Sequence, residues 1–237
     1  ALQLVFSPSG SLTCLTRDLT LQPRESRLLP DLVATLFAAG DMRGGLRVVP
    51  PLEGPAPTVS ARTYAVEMRG NLGQGLPGVV APAAGTYYVP GVFSDSVYRT
   101  NVGVTADSAG VWATLRLYRG TDGEVGSVTK GISPRDQQQW SLDSLFGGKI
   151  QPGVPMTLGF GLDHAAVCYA SLVDQASRDS VFLQGDTPAE EWLVPVAAHN
   201  PGLQGTTWRT DVGAFNPGST AITVNLEYLP QGLDNSL

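Results

Sequence analysis

The two histidines are the residues with the widest catalytic repertoire in this sequence. His164 follows Asp163 in GLDHAAV, and His199 lies in AAHNPG; both stretches are typical of turns. A Ser-His-Asp hydrolase needs a histidine beside a nucleophile, and the G-x-S-x-G elbow of one such class is absent. Neither histidine has a second His or Cys at metal-ligand spacing. We expect both to be turn residues, with no catalytic residue and no bound cofactor.

Acidic residues offer a second kind of chemistry. Asp122 and Glu124 flank a glycine, and Asp234 precedes Asn235, so oxygen ligands for Ca²⁺ are present. The D-x-[DN]-x-[DN]-G pattern of a calcium loop is missing, and Asp-Gly favours a hairpin turn. The carboxylates between 174 and 191 could form the acid pair of a glycosidase, but they follow a strand and open a linker. We predict no metal site and interpret these acids as solvated loop residues.

The two cysteines are too few for a disulfide framework. Cys168 lies in the apolar stretch AAVCYASLV and Cys14 in SLTCLT, where a free thiol behaves as a small apolar side chain. Two inert thiols are the favoured interpretation, and one disulfide between them is the alternative.

Composition excludes several classes of protein. The net charge is −6, and only 15 residues are Lys or Arg, so a nucleic-acid-binding face is disfavoured. No apolar run approaches the roughly 20 residues that cross a bilayer, and ALQLVFSPSG lacks the charged start of a signal peptide. Hydrophobic residues make up 42 %, with 28 Gly and 18 Pro, which indicates many short strands joined by turns.

A repeat organises the chain. The motif at 98–103, YRTNVG, returns 110 positions later as WRTDVG at 208–213. A Val-Pro step precedes each motif, and an alternating strand ending in Tyr follows each; we name this block the first half-module. A second block, the second half-module, links Pro23-Arg24-Glu25 with Pro134-Arg135-Asp136, and ARTYAVEM (61–68) with VCYASLVD (167–174).

The order of the blocks predicts a split module. The second half-module occupies residues 1–82, a continuous module spans 86–186, and a first half-module fills 190–237. We therefore expect an all-β fold of two antiparallel β-sandwich modules, one of them assembled from both ends of the chain. The end-to-end pairing would join strands through six apolar residues: Leu2, Leu4, Val5, Val224, Leu226 and Tyr228.

Two side-chain roles follow from the repeated strands. Arg99 and Arg209 occupy matched positions beside an aromatic residue, and a half-buried guanidinium needs an acceptor. Asp174 is the expected partner of Arg99 in a structural clamp. Trp140 lies in the polar context QQQW, so an exposed stacking platform for a sugar is the weaker hypothesis, beside an ordinary core tryptophan.

The segments that carry the repeat also carry a family resemblance. Residues 194–230, SARTY with NLGQGLPGV, and the stretches YRTNVGV and CYASLVDQASRD resemble tandem immunoglobulin-like repeats of secreted and cell-surface bacterial proteins. This resemblance implies an immunoglobulin-like sandwich and an extracellular address, and it implies no activity. The chain departs from the family order, in which a first half-module precedes its second half-module.

The split module suggests a function. A half-sandwich leaves unpaired strand edges and an uncovered apolar face, which favour pairing either with the chain's other end or with a neighbouring copy. The second arrangement is head-to-tail and can propagate. We expect a non-enzymatic extracellular subunit of a surface filament; the alternative is a monomeric binding or adhesion module, with carbohydrate as candidate ligand.

Overall fold

A computed structural model describes residues 1–53, 56–68 and 70–230, and for Gln204 the backbone alone. Within these residues the chain is all-β and every strand pair is antiparallel. The predicted all-β class is confirmed. The helices in this part of the chain are all too short to cross a membrane.

The N-terminal part contains five strands among its described residues: β1 (Leu2–Pro8), β2 (Leu15–Leu19), β3 (Gly44–Val49), β4 (Ser60–Glu67) and β5 (Gly70–Pro77). A single helical turn, α1 (Leu32–Thr35), lies between β2 and β3. Strands β2, β1 and β3 form one sheet in that order, and β4 pairs with β5 as a hairpin.

The central part contains eight strands: β6 (Gly85–Val92), β7 (Tyr98–Ala106), β8 (Val111–Arg119), β9 (Glu124–Ile132), β10 (Gln137–Ser141), β11 (Met156–Leu162), β12 (Ala166–Asp174) and β13 (Ser180–Gln184). A short helix, α2 (Leu142–Phe146), begins at Ser141, whose hydroxyl accepts the Ser144 backbone N–H. A 3₁₀ turn at Gly147–Lys149 follows α2.

Two four-stranded sheets face each other in this central sandwich. One has the order β10-β7-β12-β13 and the other β6-β11-β8-β9. Alternation along β8 buries Val111, Ala113, Leu115 and Leu117 and turns the intervening residues outward. Both sheets contribute to one apolar core, and each fully buried aliphatic side chain contributes about 1.5–3 kcal/mol. Residues 85–186 thus form a closed β-sandwich.

The N-terminal sheet has a smaller core of its own and is fixed to the central sandwich. Leu4 and Phe6 pack with Phe37, and the two phenylalanine ring centroids lie 5.6 Å apart. The buried Asp136 carboxylate accepts the Gly10 backbone N–H at 3.0 Å. Polar contacts of this kind hold the two units together across their surfaces.

The sheet β2-β1-β3 reproduces the register of β9-β8-β11. Adding 111 to both residue numbers of a β1–β2 pair gives a β8–β9 pair. For a β1–β3 pair, adding 111 to the β1 residue number and 112 to the β3 residue number gives a β8–β11 pair. The matched pairs are Leu4–Arg17 with Leu115–Val128, and Leu4–Val48 with Leu115–Phe160. Strand β1 is therefore the counterpart of β8.

This correspondence corrects the predicted end-to-end pairing. Strand β1 already pairs on both edges, with β2 and with β3, so it offers no free edge to residues 221–228. Residues 221–228 match β8 in sequence as well, so β1 and 221–228 are two copies of one strand position. The expected contacts of Leu2, Leu4 and Val5 with Val224, Leu226 and Tyr228 are wrong for this reason.

The C-terminal part forms little regular structure. A small hairpin pairs β14 (His199–Pro201) with β15 (Thr207–Arg209) around a 3₁₀ turn at Leu203–Gly205. Residues 210–230 contain no strand, although the sequence predicts one at 221–228. The apolar side chains of that stretch are largely exposed. Asp234 and Asn235 lie outside the described residues.

Candidate assembly interface

Two strand edges lack the neighbour that their counterparts have. In the central sandwich β11 pairs with β8 on one side and with β6 on the other. Among the described residues its counterpart β3 pairs with β1 alone, so the position of β6 is vacant there. We name this the β3 edge.

The second vacancy lies on the hairpin β4–β5. Tyr64-Ala65 matches Tyr169-Ala170 at a spacing of 105 residues, which makes β4 the counterpart of β12. Strand β12 lies between β7 and β13, whereas in the part of the chain that the structure describes β4 pairs with β5 alone, so the position of β7 is vacant. We name this the β4 edge. All eight β4 residues are exposed.

The hairpin is held against the central sandwich by its other strand. Ser171 of β12 donates a hydrogen bond to the Gln74 side chain at 2.9 Å, and β5 lies beside β13. Glu67 forms an exposed ion pair with Arg178 at 3.3 Å. These contacts fix β5 toward the sandwich and turn the β4 edge toward solvent.

Residues 190–215 contain sequence segments that match the two missing strands. We name residues 190–215 the donor segment. Val194-Pro195 matches Val89-Pro90 of β6, and WRTDVG at 208–213 matches YRTNVG of β7. Their apolar side chains are exposed and uncovered: Trp192, Leu193, Val194, Val196, Leu203, Trp208 and Val212. An exposed apolar group of this size marks an interaction surface.

The end of the donor segment is anchored on the central sandwich of its own chain. The Phe215 ring contacts Tyr88 and Tyr118, with centroid distances of 5.1 and 4.8 Å. Gly159 lies between these tyrosines, and the absence of a side chain there leaves room for the aromatic cluster. No hydrogen bond, ion pair or ring contact joins the described residues of 1–82 to residues 190–229. The donor segment therefore leaves both vacancies open.

The predicted arginine clamp does not form. Asp174 Oδ1 accepts the backbone N–H groups of Ala176 and Ser177, and these bonds lower the pKa of its carboxyl. Arg99 lies opposite Val173 in the β7–β12 register and has no ion pair with Asp174. Arg209 is exposed in β15. An aspartate at the end of a strand accepts backbone N–H groups of the next turn at a lower entropic cost than an ion pair, which must also fix a long arginine side chain.

Arg99 instead faces an open cleft of about 550 Å³. Asn101, Ser141 and Asp143 line the same cleft, and Ser94 donates a hydrogen bond to Asp143 at 2.6 Å. Sequence reasoning missed this grouping because Arg99 and Asn101 of β7 lie about 40 positions from Ser141 and Asp143, at the junction of β10 and α2, and only the fold brings the two pairs together.

The weaker hypothesis of an exposed platform at Trp140 is wrong, and the alternative of an ordinary core tryptophan fits the structure. Trp140 is half-buried and packs against the core of the sandwich, with the Lys130 ammonium 5.8 Å from its ring centroid. The exposed tryptophan of the central sandwich is Trp112, whose ring lies over Gly131. The flanking glutamines gave no guide to exposure, because the face of β10 that Trp140 occupies is covered by the other sheet.

His164 lies in a turn, as the sequence predicts, whereas the turn predicted at His199 is wrong because that residue begins strand β14. His164 Nδ1 is 3.1 Å from Asp163 Oδ1, and this hydrogen bond, with a second from the Trp112 backbone N–H, lowers the pKa of Asp163. Ser133 and His164 line one shallow cleft, but no hydrogen bond joins their side chains. His199 is exposed in β14. Within the described residues no group of three or more His, Cys, Asp or Glu side chains could hold a metal ion.

Both cysteines are free thiols. Cys168 is buried in the core, and burial raises the pKa of its thiol to about 12. The half-buried Cys14 Sγ lies 3.2 Å from the Ser7 hydroxyl. The alternative disulfide is therefore absent, and the inertness of the two thiols stays a prediction.

Comparison with known proteins adds no family. No family model matches the chain, and no curated protein matches it. Among solved structures it is similar to Thermotoga maritima 1070, with 14 % identity over 44 % of this chain and 95 % of that one, at a TM-score of 0.39. The Anabaena sensory rhodopsin transducer is similar at 9 % identity over 38 % and 95 %, with a TM-score of 0.32. Likenesses of this strength carry no argument about function.

Proposed function

We propose that this chain is a non-enzymatic structural protein of the cell exterior, a subunit of a surface filament whose copies complete each other's β-sandwiches head to tail. One observation carries the proposal. The N-terminal part of the chain has two vacant strand positions, and residues 190–215 contain segments that match the missing strands and pair with neither vacancy. Backbone groups at an open edge can pair with a strand from another chain.

The low content of charged residues supports assembly through strand edges. Charged residues make up 15 % of the chain and only two residues are Lys, so few charged side chains stand on the strands to block edge pairing. A heterologous contact between opposite ends of identical subunits does not close on itself unless a rotation brings it into a ring. Filaments and rings are therefore the two expected products.

The molar mass of the native protein tests the proposal. Size exclusion with light scattering, run over a range of protein concentrations, should resolve integer multiples of the 24.9 kDa chain that grow with concentration. A single species of 24.9 kDa at every concentration would refute filament formation. Electron microscopy of the same fractions then separates open filaments from closed rings.

The second candidate function is a monomeric extracellular binding or adhesion module. The cleft beside Arg99 favours it, because an unpaired guanidinium next to amide, hydroxyl and carboxylate groups suits a polar ligand such as a sugar. A glycan array with the native protein, and with Arg99→Ala as the control, tests this candidate. Binding that depends on Arg99 by a 24.9 kDa species would favour the binding module over the filament.

A further inference from the structure

We infer that the contact between copies has one defined register, in which Val194 of one chain lies opposite Leu46 of the next and Gly213 lies opposite Tyr64. This inference rests on the proposed function and adds to it the partner surface, residue by residue. The register follows from the complete sandwich within the same chain, which acts as a template for the incomplete one.

The β3 edge accepts the strand that contains Val194. In the central sandwich Leu158 of β11 pairs with Val89 of β6, and both side chains are buried. Leu46 is the counterpart of Leu158, by the β3–β11 correspondence, and Val194 is the counterpart of Val89. Leu158 is 0 % exposed, whereas Leu46 is 38 % exposed. The greater exposure of Leu46 marks the side of β3 on which the covering strand is missing.

The same correspondence places Trp192 over the N-terminal core. Phe160 pairs with Tyr87 in the central sandwich, and their counterparts are Val48 and Trp192. Tyr87 is 7 % exposed, whereas Trp192 is 62 % exposed in the single chain. Docking at the β3 edge therefore buries a large aromatic side chain against the cluster that already contains Phe6 and Phe37. Such anchors dominate the stability of protein interfaces.

The β4 edge accepts the strand that contains Gly213. In the central sandwich Tyr169 of β12 lies opposite Gly103 of β7, and its ring covers that glycine. Tyr64 is the counterpart of Tyr169, and Gly213 is the counterpart of Gly103. The Tyr-Gly combination is thus kept in the incomplete unit, with its two members at opposite ends of the chain. In the single chain Gly213 instead lies against Gly91, and docking exchanges that contact for the partner's Tyr64 ring.

The contact takes two strands from the neighbour and excludes a third. Residues 221–228 correspond to β8, and β1 already fills that position in the N-terminal sheet. The donated piece is therefore the donor segment, 190–215. A second copy is the occupant because Phe215 holds this segment on the central sandwich of its own chain, where it has no contact with either open edge.

Site-directed disulfides test the register. Each test mixes two separately purified proteins under oxidising conditions, both in a Cys14→Ser background and each with one introduced cysteine. The first pair is Leu46→Cys with Val194→Cys, and the second pair is Ala65→Cys with Val212→Cys. Directly opposed Cβ atoms lie about 4.5–5.5 Å apart in antiparallel strands, close enough for a disulfide after small adjustments. The native Cys168 is buried and does not compete.

The matched control is Val49→Cys mixed with Val194→Cys. Val49 lies on the same strand as Leu46 and is equally exposed at 38 %, but its side chain points to the opposite face of the sheet. The register is supported if both test pairs form cross-linked dimers and the control pair does not. It is overturned if the protein assembles and the test pairs fail to cross-link, a result that leaves the proposed filament intact.

A double variant carrying Leu46→Cys and Val194→Cys in one chain separates the remaining outcomes. An intramolecular disulfide in a 24.9 kDa species would show that the ends close within one chain, which overturns both the inference and the proposed filament. A 24.9 kDa species without any disulfide would also overturn both, because it has neither assembly nor the predicted pairing.

Discussion

Tyr169 lies so close over Gly103 that a Cβ at position 103 would sit 2.1 Å from the tyrosine ring. The Tyr169 hydroxyl accepts a hydrogen bond from Gln137 and donates one to Gln139, which holds the ring in that position. The pair explains why a glycine stands in the middle of a central strand, where its backbone freedom is a cost. Gly213 and Tyr64 repeat this glycine–tyrosine pair, and they are therefore the clearest sign of the second, incomplete module.

Replacing Gly103 should destabilise the central sandwich. In Gly103→Ala the new methyl group overlaps the Tyr169 ring, so the ring must leave its hydrogen bonds or the strands must separate. We expect a loss of about 1–3 kcal/mol in the free energy of unfolding, measured by urea denaturation. Gly148→Ala is the matched control, because a Cβ there meets nothing within 4 Å. Equal stability of both variants would contradict the tight contact.

A charge on the donor segment should block assembly without affecting the fold. In Val194→Asp the carboxylate would be buried at the β3 edge of the next copy, where it has no partner. We expect a 24.9 kDa species in light scattering and an unchanged thermal unfolding midpoint. Ser219→Asp adds the same charge at an exposed position outside the donor segment and should assemble like the parent protein. Assembly by Val194→Asp would show that this strand is not buried between copies.

Removing the Phe215 ring should release the end of the donor segment. Phe215→Ala loses two aromatic contacts, each worth about 0.5–1.5 kcal/mol beyond the area they bury. We expect faster proteolytic cleavage after residue 190, followed by mass spectrometry, with the central sandwich remaining resistant. Leu203→Ala, at a side chain already 89 % exposed, is the control and should leave the cleavage rate unchanged.

Stability should fall in acid through two turn carboxylates. The backbone N–H of Tyr98 lowers the pKa of Asp95, and that of Ser177 lowers the pKa of Asp174. Because the folded-state pKa values lie below the ordinary 3.8, the stabilisation is complete above that pH and is lost as pH falls through the lowered values.

The double variant Asp95→Asn, Asp174→Asn keeps an acceptor oxygen at each turn but removes the titrating charge. Thermal unfolding between about pH 2 and pH 6 should therefore show a shallower acid dependence than in the parent protein. Asp211→Asn, at an exposed position, should keep the parent's profile. An identical acid dependence in the double variant would rule out these two turns as its source.

Thiol reactivity should distinguish the two cysteines. Burial raises the pKa of Cys168 to about 12, so its reactive thiolate is scarce at neutral pH. Cys14 is half-buried and should react first with an aromatic disulfide reagent, while Cys168 should react only after denaturation. Cys14→Ser should then show no fast phase. A native protein with no titratable thiol after denaturation would instead indicate the disulfide.

The sequence by itself determined the strand content, the period near 110 residues and the turn at His164. Each depends on local composition: alternation of apolar residues, Gly and Pro in turns, and the return of the motif at 98–103. Local patterns of this kind survive in any tertiary context, because they reflect the backbone preferences and the burial of one strand face.

Only the tertiary structure decided which strand of the N-terminal part corresponds to which strand of the central sandwich. LQLVF at 2–6 and ATLRL at 113–117 share few residue types, yet their pairing registers coincide, because the alternation of buried apolar positions sets the register and different apolar residues can fill those positions. Trp140 shows the same limit: alternation tells which residues share a face, and only the packing of the second sheet decides which face is buried. For that reason β1 and 221–228, which the sequence alone suggests as partners, prove to be two copies of one strand.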